Sequence, residues 1–375
     1  MMSKGQRYRG RIACFFATSG HSGVDRIAQN LLPSLVEEGY EVDLLKVRNH
    51  GPELSKPVPD GLNIIDLGTS HVYSSLYPVV RYLKDRRPDV LLSDKDRVNR
   101  VAIFAKILSR VQTRLILSSG TTISIDLAHR GPFERWLQRT SMARLYGLAH
   151  RVIVTCEGVK EDMASYTGLK RDHIEVVPPP VIPSSVFKEA QPIPDHPWFQ
   201  RPNGRIVLGV GELGYRKDFN TLLKAFSILR GKERDLRLII LGRGKDRDNL
   251  IGLAQKLGVG NKVSFPGFVK NPYPFKAHSS LFAFTSRWEG LGFVLIEALS
   301  LGTPCVSTDC PNGPSEILQH GRYGELVPVG DAGALAEAME RTLSSPLSPE
   351  KLKEAAWPYE VRRSTRAYLK AMGFD

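Results

Sequence analysis

Apolar and polar positions follow one another along this chain in short blocks with a recurring rhythm. Arg11 to Ala17 is an apolar run of strand length, Arg26 to Glu38 reads as a helix, and Glu41 to Val47 is apolar again. The glycine loop Ser19-Gly-His-Ser-Gly-Val-Asp separates the first strand from the first helix, which makes a strand, helix, strand opening. Asp89-Val-Leu-Leu-Ser, Arg114-Leu-Ile-Leu-Ser and Arg151-Val-Ile-Val-Thr are further apolar runs ending in polar residues. They predict a parallel sheet whose strands end at a ligand face. Prolines from Pro178 to Pro202 are too dense for a helix or a central strand and are read as the interdomain linker. The rhythm restarts with Arg205-Ile-Val-Leu-Gly-Val-Gly, a helix from Thr221 to Leu229 and a strand from Leu236 to Leu241. The expected class is α/β, with two doubly wound Rossmann-like domains at 1–183 and 184–348 and a helical tail at 349–375.

The chemistry concentrates around Glu289. Leu281 to Phe284 reads as a buried strand, polar Thr285 to Trp288 leave it, Gly290 and Gly292 bend the chain, and Phe293 to Leu299 read as a helix. The first turn of a helix offers unpaired N–H groups and a partial positive charge, which suit a phosphate or diphosphate. Gly290, Leu291, Gly292, Phe293 and Val294 are therefore candidate anion-binding positions. Glu289 precedes that turn, and Glu297 lies roughly 6 Å further along the helix axis at about 1.5 Å per residue. Each carboxylate accepts hydrogen bonds from neighbouring hydroxyls, so a ligand with a polyol on each side of a diphosphate fits the pair. Spacing alone equally allows a turn residue at 289 and a solvated helix residue at 297. Gly20 and Gly23 of the first glycine loop are ambiguous in the same way: they admit a phosphate or sugar to the backbone, or they merely shape a turn.

Length and composition narrow the field. A chain of 375 residues suits two domains. The formal charge of +13 permits nucleic acid, an anionic membrane surface or an anionic substrate, but the basic residues form no solid run, which counts against nucleic acid. The four cysteines lack the spacing of a zinc site or a disulfide framework. No run approaches a membrane span, and the N-terminal apolar run is too short for a signal peptide, so a cytoplasmic protein is expected, soluble or peripheral on the inner face of the membrane. The segment Pro132 to Leu148 reads as a helix with Arg135, Arg139 and Arg144 beside Phe133, Trp136 and Leu137. Such a helix can lie on an anionic bilayer or serve as a domain helix with a solvated arginine face.

The stretch from Glu289 to Glu297 resembles the EX7E signature of retaining GT-B glycosyltransferases of family 4. Gly267-Phe-Val-Lys-Asn-Pro-Tyr-Pro, Ser286-Arg-Trp-Glu-Gly, Gly302-Thr-Pro, Asp309-Cys-Pro-Asn-Gly-Pro-Ser-Glu-Ile-Leu and Leu326-Val-Pro-Val-Gly-Asp resemble that family in order, and Phe268 of the first falls on the donor side. Gly211 to Phe226 resembles the family segment in which an arginine and a lysine hold the donor diphosphate, and Lys217 falls on the lysine. The resemblance implies a GT-B fold with a central cleft between its domains and a last helix crossing back to the first. It further implies a nucleoside diphosphate sugar donor held by the second domain, a glycan or lipid-linked acceptor at the first, and no metal or other cofactor. A hexose or N-acetylhexosamine, from a UDP-sugar ahead of a GDP-sugar, is the expected cargo, with Glu289 on the sugar and Glu297 on the ribose.

Two departures stand out. Glu212 occupies the place of the family's arginine, while the later turn has Arg243 where the family has glutamate. Arg243 is expected to supply the missing cation and to pair with Glu212; the alternative is a solvated Arg243, with Arg216 or Lys217 sufficient. Gly120, followed by Thr121, occupies the place of a histidine that many relatives carry near the reacting carbon, and His21 on the first glycine loop is a candidate substitute. These departures keep open a nucleotide-sugar-binding homologue without turnover, and a GT-B epimerase shares the fold. Gly209-Val-Gly-Glu-Leu-Gly214 also fits a dinucleotide fingerprint, but its helix begins too late for one.

Overall fold

The computed structural model describes residues 8–18, 23–48, 50–54, 57–128, 130–200, 204–231 and 235–374. The chain divides into a unit made of residues up to Val181 together with Val361 onward, and a unit spanning Ile182–Glu360.

The first unit is built on seven strands: β1 (Arg11–Phe16), β2 (Glu41–Lys46), β3 (Leu62–Asp66), β4 (Val90–Asp94), β5 (Arg114–Ser119), β6 (Arg151–Val154) and β7 (Ile174–Val176). Their order is β3-β2-β1-β4-β5-β6-β7, every pair is parallel, and Ile12 sits beside Val42 on one side and Val90 on the other. Helices cover both faces of such a sheet, so the central strands carry buried apolar runs, with β4 and β5 turning polar at their carboxyl ends. Ile12 to Phe15 and Val90 to Leu92 have no exposed surface. The edge strand β3 leaves Asn63, Ile64 and Asp66 partly or fully exposed, so it carries no continuous apolar run for sequence reasoning to find.

The second unit repeats the plan with β8 (Ile206–Val210), β9 (Arg237–Leu241), β10 (Val263–Gly267), β11 (Leu281–Phe284), β12 (Cys305–Thr308) and β13 (Glu325–Val327), ordered β10-β9-β8-β11-β12-β13 and all parallel. One face is closed by the helices Phe219–Arg230 and Ala332–Ser344, whose Leu222, Phe226, Leu335 and Met339 share a core with Val207, Leu238 and Ile240. Strand order reverses between β8 and β11, and open α/β sheets bind ligands at the carboxyl ends of the strands flanking such a reversal. The loops after Val210 and Phe284 leave the sheet there.

The second unit begins at Ile182, close to the expected 184, but two expectations beside that boundary need correction. The proline-rich stretch from 178 to 202 is not a free linker: from Ile182 it packs within the second unit. Val186 and Ala190 are buried, His196 Nε2 lies 3.0 Å from Ser264 Oγ, and the Phe199 ring stands edge-on to Phe275 at 5.5 Å. Prolines exclude helix and strand but not packing. The tail from 349 onward also splits. Helix Pro349–Ala356 stays with the second unit, burying Leu352, Ala355 and Ala356 in contact with helix Phe293–Ser300. Helix Val361–Ala371 joins the first unit, where it packs on helix Gly23–Glu37 and Ser364 Oγ donates to the Pro178 carbonyl at 2.5 Å. No described helix is long and apolar enough to cross a membrane.

Tyr368 and Met372 are buried in the first unit from this last segment. Tyr368→Ala is expected to destabilise that unit by about 3 kcal/mol, the usual cost of deleting a large core ring. Chemical denaturation that shows no shift contradicts this packing role.

Candidate functional site

The loop after β8 and the loop after β11 are sewn together. Arg287 N–H donates to the Arg216 carbonyl at 2.8 Å, and Thr285 Oγ1 donates to the Lys217 carbonyl at 2.8 Å. The side chains complete the join. Lys217 Nζ donates to Glu289 Oε1 at 2.6 Å, Ser286 Oγ donates to the same oxygen at 2.7 Å, and Arg216 Nη1 donates to Oε2 at 2.9 Å. Glu289 and Lys217 are buried, Arg216 is partly exposed, and Lys217 Nζ also lies 5.0 Å from the centre of the Phe284 ring. Burial pushes the Glu289 carboxyl up, but the adjacent Lys217 and Arg216 outweigh it and hold the group below the usual carboxylate range.

A third loop backs this arrangement. Glu289 N–H donates to the Pro311 carbonyl at 3.3 Å, and Thr308 Oγ1 donates to the Ser286 carbonyl at 2.7 Å. Gly313, at φ +91°, passes so close that an added Cβ would stand 1.8 Å from the Leu291 carbonyl oxygen. No side chain larger than hydrogen fits. Leu291 and Gly292 are thereby fixed at the start of helix Phe293–Ser300, whose N-terminus has no side-chain cap. Its first N–H groups are available to an anion next to the two cations.

Glu297 lies one turn inside the helix, as its spacing suggested, but its side chain does not reach a surface. Its carboxylate is enclosed, with Oε2 accepting from Lys276 Nζ of helix Tyr273–Ala277, itself without exposed surface. Removing one partner of a buried pair such as this costs on the order of 3–5 kcal/mol. The expected pairing of Arg243 with Glu212 is not formed. Arg243 instead lies over the exposed Phe268 ring at 5.3 Å, an attraction between cation and ring face. The two turns are nonetheless neighbours: Leu213 N–H donates to the Arg243 carbonyl at 3.0 Å, and a Cβ on Gly242 would stand 1.8 Å from the Gly211 carbonyl oxygen.

The structure thus brings together Arg216, Lys217, Glu289, Gly290, Leu291, Gly292, Phe293 and Val294, with Arg243 and Phe268 at the adjoining edge of the same sheet. Gly23, Gly120 and Thr121 belong to the first unit, Gly23 opening a helix and Gly120 following β5. Gly20 and His21 lie outside the described residues. Ser286, Gly313 and Lys276 were missed by sequence reasoning. Ser286 sits in a quoted motif, whereas Lys276 is an ordinary lysine in sequence and carries no signal of its burial. Three of the cysteines offer no reactive thiol: burial pushes Cys310 up to about 12 and raises Cys14 and Cys305 further.

Comparison with known proteins bears on the family and the fold. A model described as Glycosyltransferase Family 4 matches residues 21–185, and one described as Glycosyl transferases group 1 matches residues 195–357. The chain is 26% identical over 373 residues to an N-acetylgalactosamine-N,N'-diacetylbacillosaminyl-diphospho-undecaprenol 4-alpha-N-acetylgalactosaminyltransferase of Campylobacter jejuni, covering 95% of this chain and 94% of that one. It is 38% identical over 139 residues to the lipopolysaccharide core biosynthesis glycosyltransferase LpsE of Rhizobium meliloti, covering 37% and 39%. The solved structure of Anabaena HepE in complex with UDP and glucose superposes with a TM-score of 0.74 at 17% identity, over 97% of this chain and 100% of that one, which shows a shared fold. The two Rossmann-like domains, each on a parallel sheet, have the GT-B fold. The chain belongs to the family 4 glycosyltransferases.

Glu289 titrates below its ordinary value of 4.5, so its contribution to stability is complete above that pH and is lost as pH falls through the lower folded value. The gap in denaturation midpoint between wild type and Glu289→Gln is therefore expected to be widest near neutrality and to close in acid. A gap independent of pH contradicts the ion-paired assignment.

Proposed function

We propose that this chain transfers a hexose or N-acetylhexosamine from a nucleoside diphosphate sugar, UDP ahead of GDP, to a glycan or lipid-linked acceptor with retention at the anomeric carbon. The observation that carries the reading is the buried Glu289 carboxylate, held by Lys217 and Arg216 immediately before the uncapped helix Phe293–Ser300. In this reading Lys217, Arg216 and the first N–H groups of that helix neutralise the departing diphosphate, an electrostatic effect worth several kcal/mol when the donors are already in place. Glu289 positions the sugar through its hydroxyls. The acceptor hydroxyl attacks from the face the phosphate leaves and passes its proton to the departing phosphate oxygen. Protein cations supply the charge that a metal supplies elsewhere, so the reading assigns no metal.

The ribose role implied for Glu297 requires the donor to reach a carboxylate that is enclosed beside Lys276. Arg243 and Phe268, exposed together, suit the outer part of the nucleotide. The reading keeps Gly20 and Gly23 with the donor, as positions where the backbone admits a phosphate or sugar, and assigns His21, Gly120 and Thr121 to the acceptor. The relatives' printed roles, on an undecaprenyl diphosphate glycan and in lipopolysaccharide core assembly, support a setting in polysaccharide or lipopolysaccharide biosynthesis; a cytoplasmic place, peripheral on the inner face of the membrane, belongs to the same reading. A donor-binding protein without turnover is the second reading, favoured by exposed Glu212 in place of an arginine.

Turnover decides between them. With UDP-sugars and undecaprenyl diphosphate glycans, UDP release is expected to depend on acceptor, and Lys217→Ala is expected to lower it by about two orders of magnitude. Donor binding without release supports the inert homologue, and a free epimer formed without acceptor supports an epimerase.

The reading also includes contact with an anionic bilayer through helix Pro132–Leu145. Phe133, Trp136 and Leu137 are 73%, 59% and 50% exposed, with Arg135, Arg139 and Arg144 exposed on the same helix. Phe133→Ser combined with Trp136→Ser is expected to reduce cosedimentation with phosphatidylglycerol vesicles at least fivefold while leaving UDP binding intact. Equal sedimentation of both proteins contradicts the contact.

A further inference from the structure

Lys276 has no exposed surface, and the side chains of Lys276 and Glu297 are 0% and 1% exposed. Lysine is almost never fully buried unless paired, and a buried pair is often no more stabilising than apolar residues of the same volume. Stability alone therefore gives little reason for charges at this place. The pair joins two elements of the site: Lys276 lies on helix Tyr273–Ala277, and Glu297 lies one turn inside helix Phe293–Ser300, whose first turn follows Glu289. Lys276 is itself held in place. Its carbonyl accepts from Thr303 Oγ1 at 2.7 Å, its Nζ lies 5.7 Å from the centre of the Tyr273 ring, and the two helices are in contact.

We propose that Lys276 is a positioning residue for the nucleotide donor, acting through Glu297. Its ammonium fixes the Glu297 carboxylate, and with it the seat of the helix that receives the diphosphate. The proposal rests on the donor site described under Proposed function, and the ligand concerned is the nucleoside diphosphate part of the donor.

A double-mutant cycle tests it, because a residue acting only through another loses its effect when that other is changed. The full chain, with Lys276→Met, Glu297→Gln and the double variant, is titrated calorimetrically with UDP, or with GDP where that binds more tightly. Lys276→Met is expected to raise the Kd about tenfold with stoichiometry near that of wild type, and the double variant to bind no more weakly than Glu297→Gln alone. An unchanged Kd with reduced stoichiometry marks a purely structural lysine and overturns the proposal, as does a double variant whose two losses multiply. If Lys276→Met does not fold, Lys276→Gln takes its place, and the charge-free double variant still allows comparison with Glu297→Gln. A wild type that binds neither nucleotide overturns the donor-site reading itself, an outcome distinct from a wild type that binds and a lysine variant that binds equally well.

Discussion

The site depends on one interaction, the Glu289 carboxylate held between Lys217 and Arg216. A buried carboxylate is costly unless paired and hydrogen-bonded, and here one oxygen takes Lys217 and Ser286 while the other takes Arg216. The same contacts tie the loop after β8 to the loop after β11. Those strands flank the reversal of strand order in their sheet, so electrostatics and topology select the same place. Any ligand that draws on Lys217 or Arg216 must share them with Glu289. An anionic group with hydroxyls beside it suits that sharing, since the cations serve the charge and the carboxylate serves the hydroxyls.

Backbone proximity does the rest. Gly242 against Gly211, and Gly313 against Leu291, bring two pairs of loops closer than any side chain allows. The Gly313 contact positions the start of helix Phe293–Ser300 without a capping side chain, leaving its first N–H groups for a ligand. Deeper in the same helix, Glu297 meets Lys276 in a second buried pair. The helix is thus held by charge from within and by backbone packing at its tip.

Much of the fold was legible because parallel strands buried on both faces leave continuous apolar runs. β1, β4, β5, β8 and β11 all announce themselves this way, whereas the exposed edge strand β3 does not. The domain assignment of prolines and tail was less legible. Prolines report what a backbone cannot form, and nothing in Trp198 or Phe199 states that they pack beside His196 and Phe275. Glu289 and Lys217 were readable from their motifs, but the path of a side chain is not. Arg243 was expected to turn toward Glu212 and turns to the Phe268 ring, and Glu297 was expected at a ligand surface and is enclosed. Lys276 was invisible because burial depends on residues distant in sequence.

The measurement that tests the account most directly is amide hydrogen exchange with and without saturating UDP or GDP, whichever binds. The account predicts slowed exchange at Gly290 to Leu295 and in the loop at Gly211 to Lys217, where the diphosphate meets backbone N–H groups and the two cations. Protection confined to other segments, with exchange at Gly290 to Leu295 unchanged, would contradict it.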